Sequence, residues 1–179
     1  MFSLVRATIK NGHFTKLEDQ WRDQASSLSE GVAEEPEDYF ATMMDHARRI
    51  AEEDPEDPKY GIFTLINENA GGGPAYEGLV HINHKLPRTS KACVRMVWNI
   101  LAPHFDYDQQ DLIANVMASY IMGGLKLCRS EMKSSSMQMY LLNGTDRQYA
   151  VGAVSLLREL DSELRVNVRG MWLHIDNIA

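Results

Sequence analysis

The sequence predicts an α+β fold with a central, mostly antiparallel sheet and helices on both faces, in the order β-α-α-β-β-β-α-β-α-β. Two observations carry most of this. Apolar residues recur at helical spacing up to Ile50 and again after Asp108, whereas from Tyr60 to Pro103 the runs are β-rich. The connections between those β-rich runs are too short for a crossover helix, so the three form an antiparallel meander.

Phe2 to Ile9 is short, apolar and stopped by Asn11-Gly12, which marks a turn, so it is the opening strand. Leu17, Trp21, Ala25 and Leu28 then fall on one face of a helix. After the break "SSLSEGVAEEPED", Pro36 with Glu37 and Asp38 starts a second helix, because Pro suits the first turn and acids suit its positive end. Its buried face runs Tyr39, Phe40, Met43, Met44, Ala47, Ile50 to the stop "EEDPEDP".

"YGIFTLINEN", "AYEGLVHINHKLP" and "SKACVRMVWNILAP" are the three meander strands. Strict alternation puts Tyr76, Val80 and Ile82 on one face of the second, with Glu77, His81 and Asn83 on the other. It puts Val94, Met96, Trp98 and Ile100 together on the third. Asp108 to Arg129 carries Leu112, Ile113, Val116, Met117, Tyr120, Ile121, Leu125 and Cys128 at helical spacing. "SSSMQMYLLN" is a strand, and a last helix follows with Thr145 or Asp146 as its cap. "RVNVRGMWLHIDNI" closes as one strand whose phase slips at Gly170, which predicts a bulge or bend.

The 179 residues, 44% hydrophobic and 24% charged, fit one globular domain over 1–179. A net charge of −7 and a pI near 5.3 argue against gripping phosphate backbones, so no nucleic-acid partner is expected. Cys93 and Cys128 sit in apolar segments and are expected as buried thiols of a reducing compartment. "MFSLVRATIKNGHF" lacks the pattern of a signal peptide and no apolar run spans a bilayer, so no membrane partner and a cytoplasmic location are expected.

The element order over nearly the whole chain resembles the GNAT acyltransferase superfamily. That resemblance implies acetyl-CoA or another acyl-CoA lying between splayed strands four and five, with its pyrophosphate on a glycine-rich turn opening the next helix. The physics of such a turn is general: unpaired N–H groups and the helix dipole together favour an anion. In this chain the turn reads "FDYDQQDLIA", with no glycine to let backbone approach a phosphate and with Asp106, Asp108 and Asp111 adding negative charge. Asp108 as N-cap with Asp111 in the first turn is ordinary helix chemistry. Gln109 and Gln110 are the remaining side-chain donors there.

The resemblance further implies that backbone groups near Ile100 and Leu101 hold the pantetheine arm and that Asn143 helps orient it. The family's helix after strand five opens on Asn, then Ala, then an aromatic pair whose Tyr can protonate the leaving thiolate. Here "NGTDRQYAVGAVSLL" places Tyr149 just before Ala150 instead, leaving an irregular helix start as its route to that role. Glu77 and His81, four residues apart on one strand face, are the candidate bases toward an amine, against the plain alternative of a solvated polar face. Trp172 and His174 on the closing strand carry the same two readings.

His81 and His84 are three apart on a strand and point to opposite faces, and the cysteines lack C-x-x-C spacing, so no metal site is expected. The glycine run in "NENAGGGPAYEG" lacks the Lys-Ser/Thr and helix of a P-loop, and no G-x-S-x-G elbow occurs. Two functions follow. The first is an acyl-CoA-dependent N-acyltransferase, divergent in its donor turn, acting on a small-molecule or peptide amine by direct attack. The second is a catalytically silent GNAT-fold interaction or regulatory module that has lost acetyl-CoA binding. The closing strand offers an edge to a second copy, so a homodimer stays among the expected partners.

Overall fold

A computed structural model describes residues 2–29, 38–53, 60–71, 75–84, 92–105 and 110–178. Expectations resting on Pro36, Asp106, Asp108 and Gln109 lie outside these residues, as does the remainder of the glycine run beyond Gly71. The elements are β1 (Phe2–Arg6), α1 (His13–Ser29), α2 (Asp38–Glu53), β2 (Tyr60–Asn67), β3 (Ala75–His84), β4 (Val94–Leu101), α3 (Gln110–Arg129), β5 (Ser136–Tyr140), α4 (Gly144–Leu160), β6 (Arg165–Arg169) and β7 (Trp172–Asp176). They build one seven-stranded sheet in the order β1-β2-β3-β4-β5-β7-β6. Every neighbouring pair is antiparallel except β4 with β5. This is the predicted α+β architecture.

Two local expectations give way. β1 stops at Arg6, because Thr8 and Asn11 exchange hydrogen bonds at 3.0 Å, Thr8 N–H to Asn11 Oδ1 and Asn11 N–H to Thr8 Oγ1, which turns the chain early. The closing segment is two strands rather than one bent strand. Arg169 pairs with Trp172, so Gly170 and Met171 form a two-residue hairpin loop, and Gly170 takes φ +58° at its first position as such loops require. β7 then inserts beside β5 and leaves β6 at the edge.

Both faces of the sheet's first half are buried, which is why β2 is buried from Gly61 to Ile66 instead of alternating. On one side Phe14, Leu17 and Trp21 of α1 and Ala47 and Ile50 of α2 pack on Ile62, Leu79 and Ile100. On the other, Val116, Tyr120 and Ile121 of α3 and Ala150 and Leu157 of α4 pack on Val80, Met96, Met137 and Leu173. Gly78 and Gly124 allow this second packing. A Cβ on Gly78 would meet the Tyr120 hydroxyl, and one on Gly124 would meet Met137 Sδ at 2.5 Å and Met96 Cε at 2.7 Å.

Strict alternation fails twice, at bulges. In the β2–β3 ladder Leu65 faces Gly78 and Ile66 faces Tyr76, leaving Glu77 without a partner residue. Tyr76 therefore joins Leu79 in the α1–α2 core rather than Val80 and Ile82. In the β3–β4 ladder His81 faces Trp98 and Ile82 faces Met96, so Val97 is the extra residue. Val94 and Met96 face α3 while Trp98 and Ile100 face α1 and α2.

Candidate functional site

The Val97 bulge sits where β5 leaves β4. Their parallel ladder holds only Val94 with Met137, Arg95 with Gln138 and Met96 with Met139. Beyond it the strands part, and the buried Asn99 spans the gap by donating from Nδ2 to the Tyr140 carbonyl at 3.4 Å. A cavity of about 370 Å³ opens there, walled by Ile100, Leu101 and Phe105 on the β4 side, by Ile113 and Met117 of α3, and by Asn143 and Asp146 at the start of α4. A parallel pair forced apart in this way exposes strand-edge backbone groups to whatever fills the gap.

Of the residues the sequence proposed for the donor, Ile100, Leu101 and Asn143 line this cavity. Gln109 lies outside the described residues, and Gln110 is the first residue of α3, described through its backbone. Asn143 turns out to be the α4 cap in place of Thr145 or Asp146. Its backbone is extended, its Oδ1 accepts from Asp146 N–H at 2.9 Å, and Asp146 Oδ2 accepts from Leu142 N–H at 2.9 Å. This reciprocal arrangement follows the logic of a capping box. It commits Asn143 Oδ1 to the helix, while Nδ2 has no hydrogen-bond partner among the described residues. Burial raises the Asp146 pKa, against the opposing pull of the Leu142 and Asn143 backbone donors.

Tyr149 lies on a helix that runs without irregularity from Gly144 and is half-buried against the α3–α4 core. It lines a second cavity of about 330 Å³ with Met117, Ala118, Ile121 and Met139, rather than the β4–β5 gap.

Glu77 and His81 both lie on the α1–α2 side, but in separate clusters. Glu77 is 7% exposed although it is a carboxylate. His104 Nε2 stands 3.1 Å from its Oε2, without the alignment of a hydrogen bond, so Oε2 has no hydrogen-bond partner among the described residues. His104 Nδ1 in turn lies 3.2 Å from Gln24 Oε1 of α1. The Glu77 carbonyl accepts from Ala102 N–H at 3.1 Å, and Ala102 lines the cavity whereas Glu77 does not.

His81 stands beside the bulge. Its ring centroid is 5.7 Å from Trp98, 5.9 Å from His46 of α2 and 6.4 Å from Tyr60. Burial, and secondarily the His46 charge, pull its pKa down to about 4, so it is a neutral imidazole at pH 7. Its Nε2 is buried with no hydrogen-bond partner among the described residues. His46 and His104 escaped the sequence reading, the first on a helix face and the second in the "APHF" turn, because only the fold brings them to β3. His84 pairs with Val94 and faces the other side of the sheet from His81. Among the described residues no group of three or more His, Cys, Asp or Glu is placed to hold a metal, and no helix is long and apolar enough to cross a membrane.

No family model and no curated protein matches the chain in sequence. Among solved structures it is similar to a chain of a KacTA–DNA complex, at 11% identity and a TM-score of 0.41 over 79% of this chain and 80% of that one. It is likewise similar to a chain of the NatC complex bound to Gag peptide and CoA, at 10% identity and a TM-score of 0.41 over 97% of this chain and 94% of that one. Values this low transfer no residue and no ligand.

Proposed function

We propose that the chain is an acyl-CoA-dependent N-acyltransferase. The observation that carries this is the parallel β4–β5 pair, which separates after three residues at a bulge and opens a cavity between the strands and the first turns of α3 and α4. A pantetheine arm is a thin chain with two amides, suited to a slot with apolar walls and free strand-edge groups. Ile100 and Leu101, which line the cavity, form one wall for it, and Asn143, lining it too, orients it through Nδ2. Acetyl-CoA is the simplest donor.

The acceptor amine attacks the thioester carbonyl carbon, the C–S bond breaks, and CoA leaves as a thiolate that takes a proton from water. His81 Nε2 takes the proton that the amine loses, since it is neutral, unpartnered and next to the bulge. Glu77, joined through its backbone carbonyl to Ala102 of the cavity wall, is the alternative base. Direct attack needs no covalent enzyme intermediate, consistent with the absence of a nucleophile motif.

The second reading, a silent GNAT-fold module, is favoured by the lack of glycine and the three aspartates in "FDYDQQDLIA". Calorimetric titration with acetyl-CoA, beside free CoA and ATP, separates the two. Micromolar binding of acetyl-CoA that is abolished by Leu142→Trp, a bulky change at the exposed lip of the cavity, supports the enzyme. No binding by the folded protein into the millimolar range sinks it and leaves the module.

A further inference from the structure

The half of the sheet that α1 and α2 leave uncovered carries charge opposite to that of the protein as a whole. No residue of β5, β6 or β7 belongs to the α1–α2 core. Cross-strand partners share a face, so the register gives the composition of this one. Arg169 faces Trp172, which faces Tyr140; His174 faces Gln138, which faces Arg95; Arg165 faces Asp176. The alternate positions, such as Val166 and Met137, are buried against α3 and α4. Three guanidiniums therefore stand against one carboxylate, on a chain of net charge −7.

These arginines differ from four others in the chain, although Arg49, Arg147 and Arg158 likewise have no carboxylate within ion-pair distance among the described residues. Arg6, Arg22, Arg48 and Arg129 each pair with a carboxylate. Arg95, Arg165 and Arg169 have none within ion-pair distance among the described residues. Arg165 and Arg169 are exposed. Arg95 is half-buried with its Cζ 4.6 Å from the Trp172 ring centroid, and its Nε is buried with no hydrogen-bond partner. Tyr140 braces the same indole edge-on at 5.0 Å. A guanidinium stacked on a fixed ring is held in one orientation, and its planar fork matches a carboxylate. Each of these strands runs five residues, roughly 17 Å, so among the described residues the face is an open shelf fitted to an extended chain more than to a small molecule.

We infer that this shelf binds an acidic peptide, its carboxylates on Arg95, Arg165 and Arg169 and its amine end toward the β4 bulge beside His81. The peptide's role as acyl acceptor rests on the acyltransferase reading; its binding does not. Arg95 belongs to the strand that carries the bulge and faces Asn83, two residues beyond His81, so the shelf and the proposed site of attack adjoin.

The test is fluorescence anisotropy, without acyl-CoA, of a labelled ten-residue peptide that has a free N-terminus followed by Glu and Asp, beside its Gln and Asn counterpart. The acidic peptide is expected to bind about tenfold or more tighter at low salt, with an advantage that shrinks as salt screens it. The exposed pair Arg165→Gln/Arg169→Gln is expected to remove most of that advantage without unfolding the protein, and Arg95→Lys, which keeps charge but loses the fork, to reduce it. Equal binding of the two peptides, or tighter binding of a single-stranded oligonucleotide, overturns the inference. Adding acetyl-CoA separates the two proposals. Selective binding without transfer supports the shelf and defeats the enzyme, whereas equal transfer to both peptides supports the enzyme and defeats the shelf.

Discussion

His104 Nε2 lies 3.1 Å from Glu77 Oε2, which brings an imidazole from the turn after β4 against a carboxylate buried at a β3 bulge. A buried carboxylate oxygen without an aligned donor is costly unless a neighbouring cation offsets it. Replacing His104 with Ala removes the partner and keeps the charge, so a stability loss of about 1–3 kcal/mol is expected. Glu77→Gln removes the charge and is expected to be far milder, with an urea midpoint close to that of the parent. A Glu77→Gln protein less stable than His104→Ala would refute this account of the pair.

His81 and Glu77 also divide on activity. Because His81 adjoins the bulge and Glu77 sits four residues away, His81→Gln is expected to lower turnover by about 10²- to 10⁴-fold, the usual contribution of a general base. Glu77→Gln is expected to cost less than about tenfold. Steady-state rates of both variants with acetyl-CoA decide it, and the reverse ranking moves the proton acceptor to Glu77.

The same imidazole makes stability depend on pH. Unfolded, His81 titrates near its ordinary value of 6.5; folded, at about 4. Between these values the unfolded chain binds the extra proton, so this contribution is complete above pH 6.5 and is lost as pH falls toward 4. His13 and His174 are shifted in the same direction by burial, and therefore add to the slope. Melting temperatures at pH 7 and pH 5 should fall further for the parent than for His81→Gln. Equal falls would mean that His81 is solvated in the folded protein.

Gly78 has no room for a side chain. A methyl there would press on the Tyr120 hydroxyl and lie 2.9 Å from Tyr120 Cζ, with the tyrosine itself fully buried. Gly78→Ala is expected to cost about 1–3 kcal/mol through overpacking. Tyr120→Phe should return part of that loss when combined with it, which a double-mutant cycle measures as a coupling energy. Strictly additive effects would show that the strain falls elsewhere.

The parts of the fold legible in the sequence were those set by period and punctuation. The long stripe from Leu112 to Cys128 gave α3, and the short turns gave the meander. What the sequence hid came from single inserted residues. Bulges at Glu77 and Val97 reverse the faces of Tyr76, Trp98 and Ile100, and an apolar run carries no mark of where such an insertion falls when both sheet faces are buried. Gly170 marked its position but not its consequence, since a φ of +58° serves a hairpin as well as a bulge. Ile100, Leu101 and Asn143, which line the cavity, were named because they flank the predicted joint. His46 and His104 were not, because their partners are distant in sequence.

Asn143 caps α4 and is proposed to orient the donor, and three variants part these roles. Its Oδ1 caps α4 through Asp146 N–H, while its Nδ2 is the group assigned to the donor. Alanine removes both and is expected to cost about 1 kcal/mol of stability, the usual effect of losing a cap. Serine restores an acceptor for the Asp146 N–H without restoring the amide donor, so thermal stability should return to near the parent value. Aspartate also caps but places a second carboxylate beside Asp146, which should weaken an anionic donor further as salt is lowered. If acetyl-CoA affinity falls in all three while stability falls chiefly in the alanine variant, Nδ2 orients the donor. Affinity that instead tracks stability across the series would make Asn143 a cap alone.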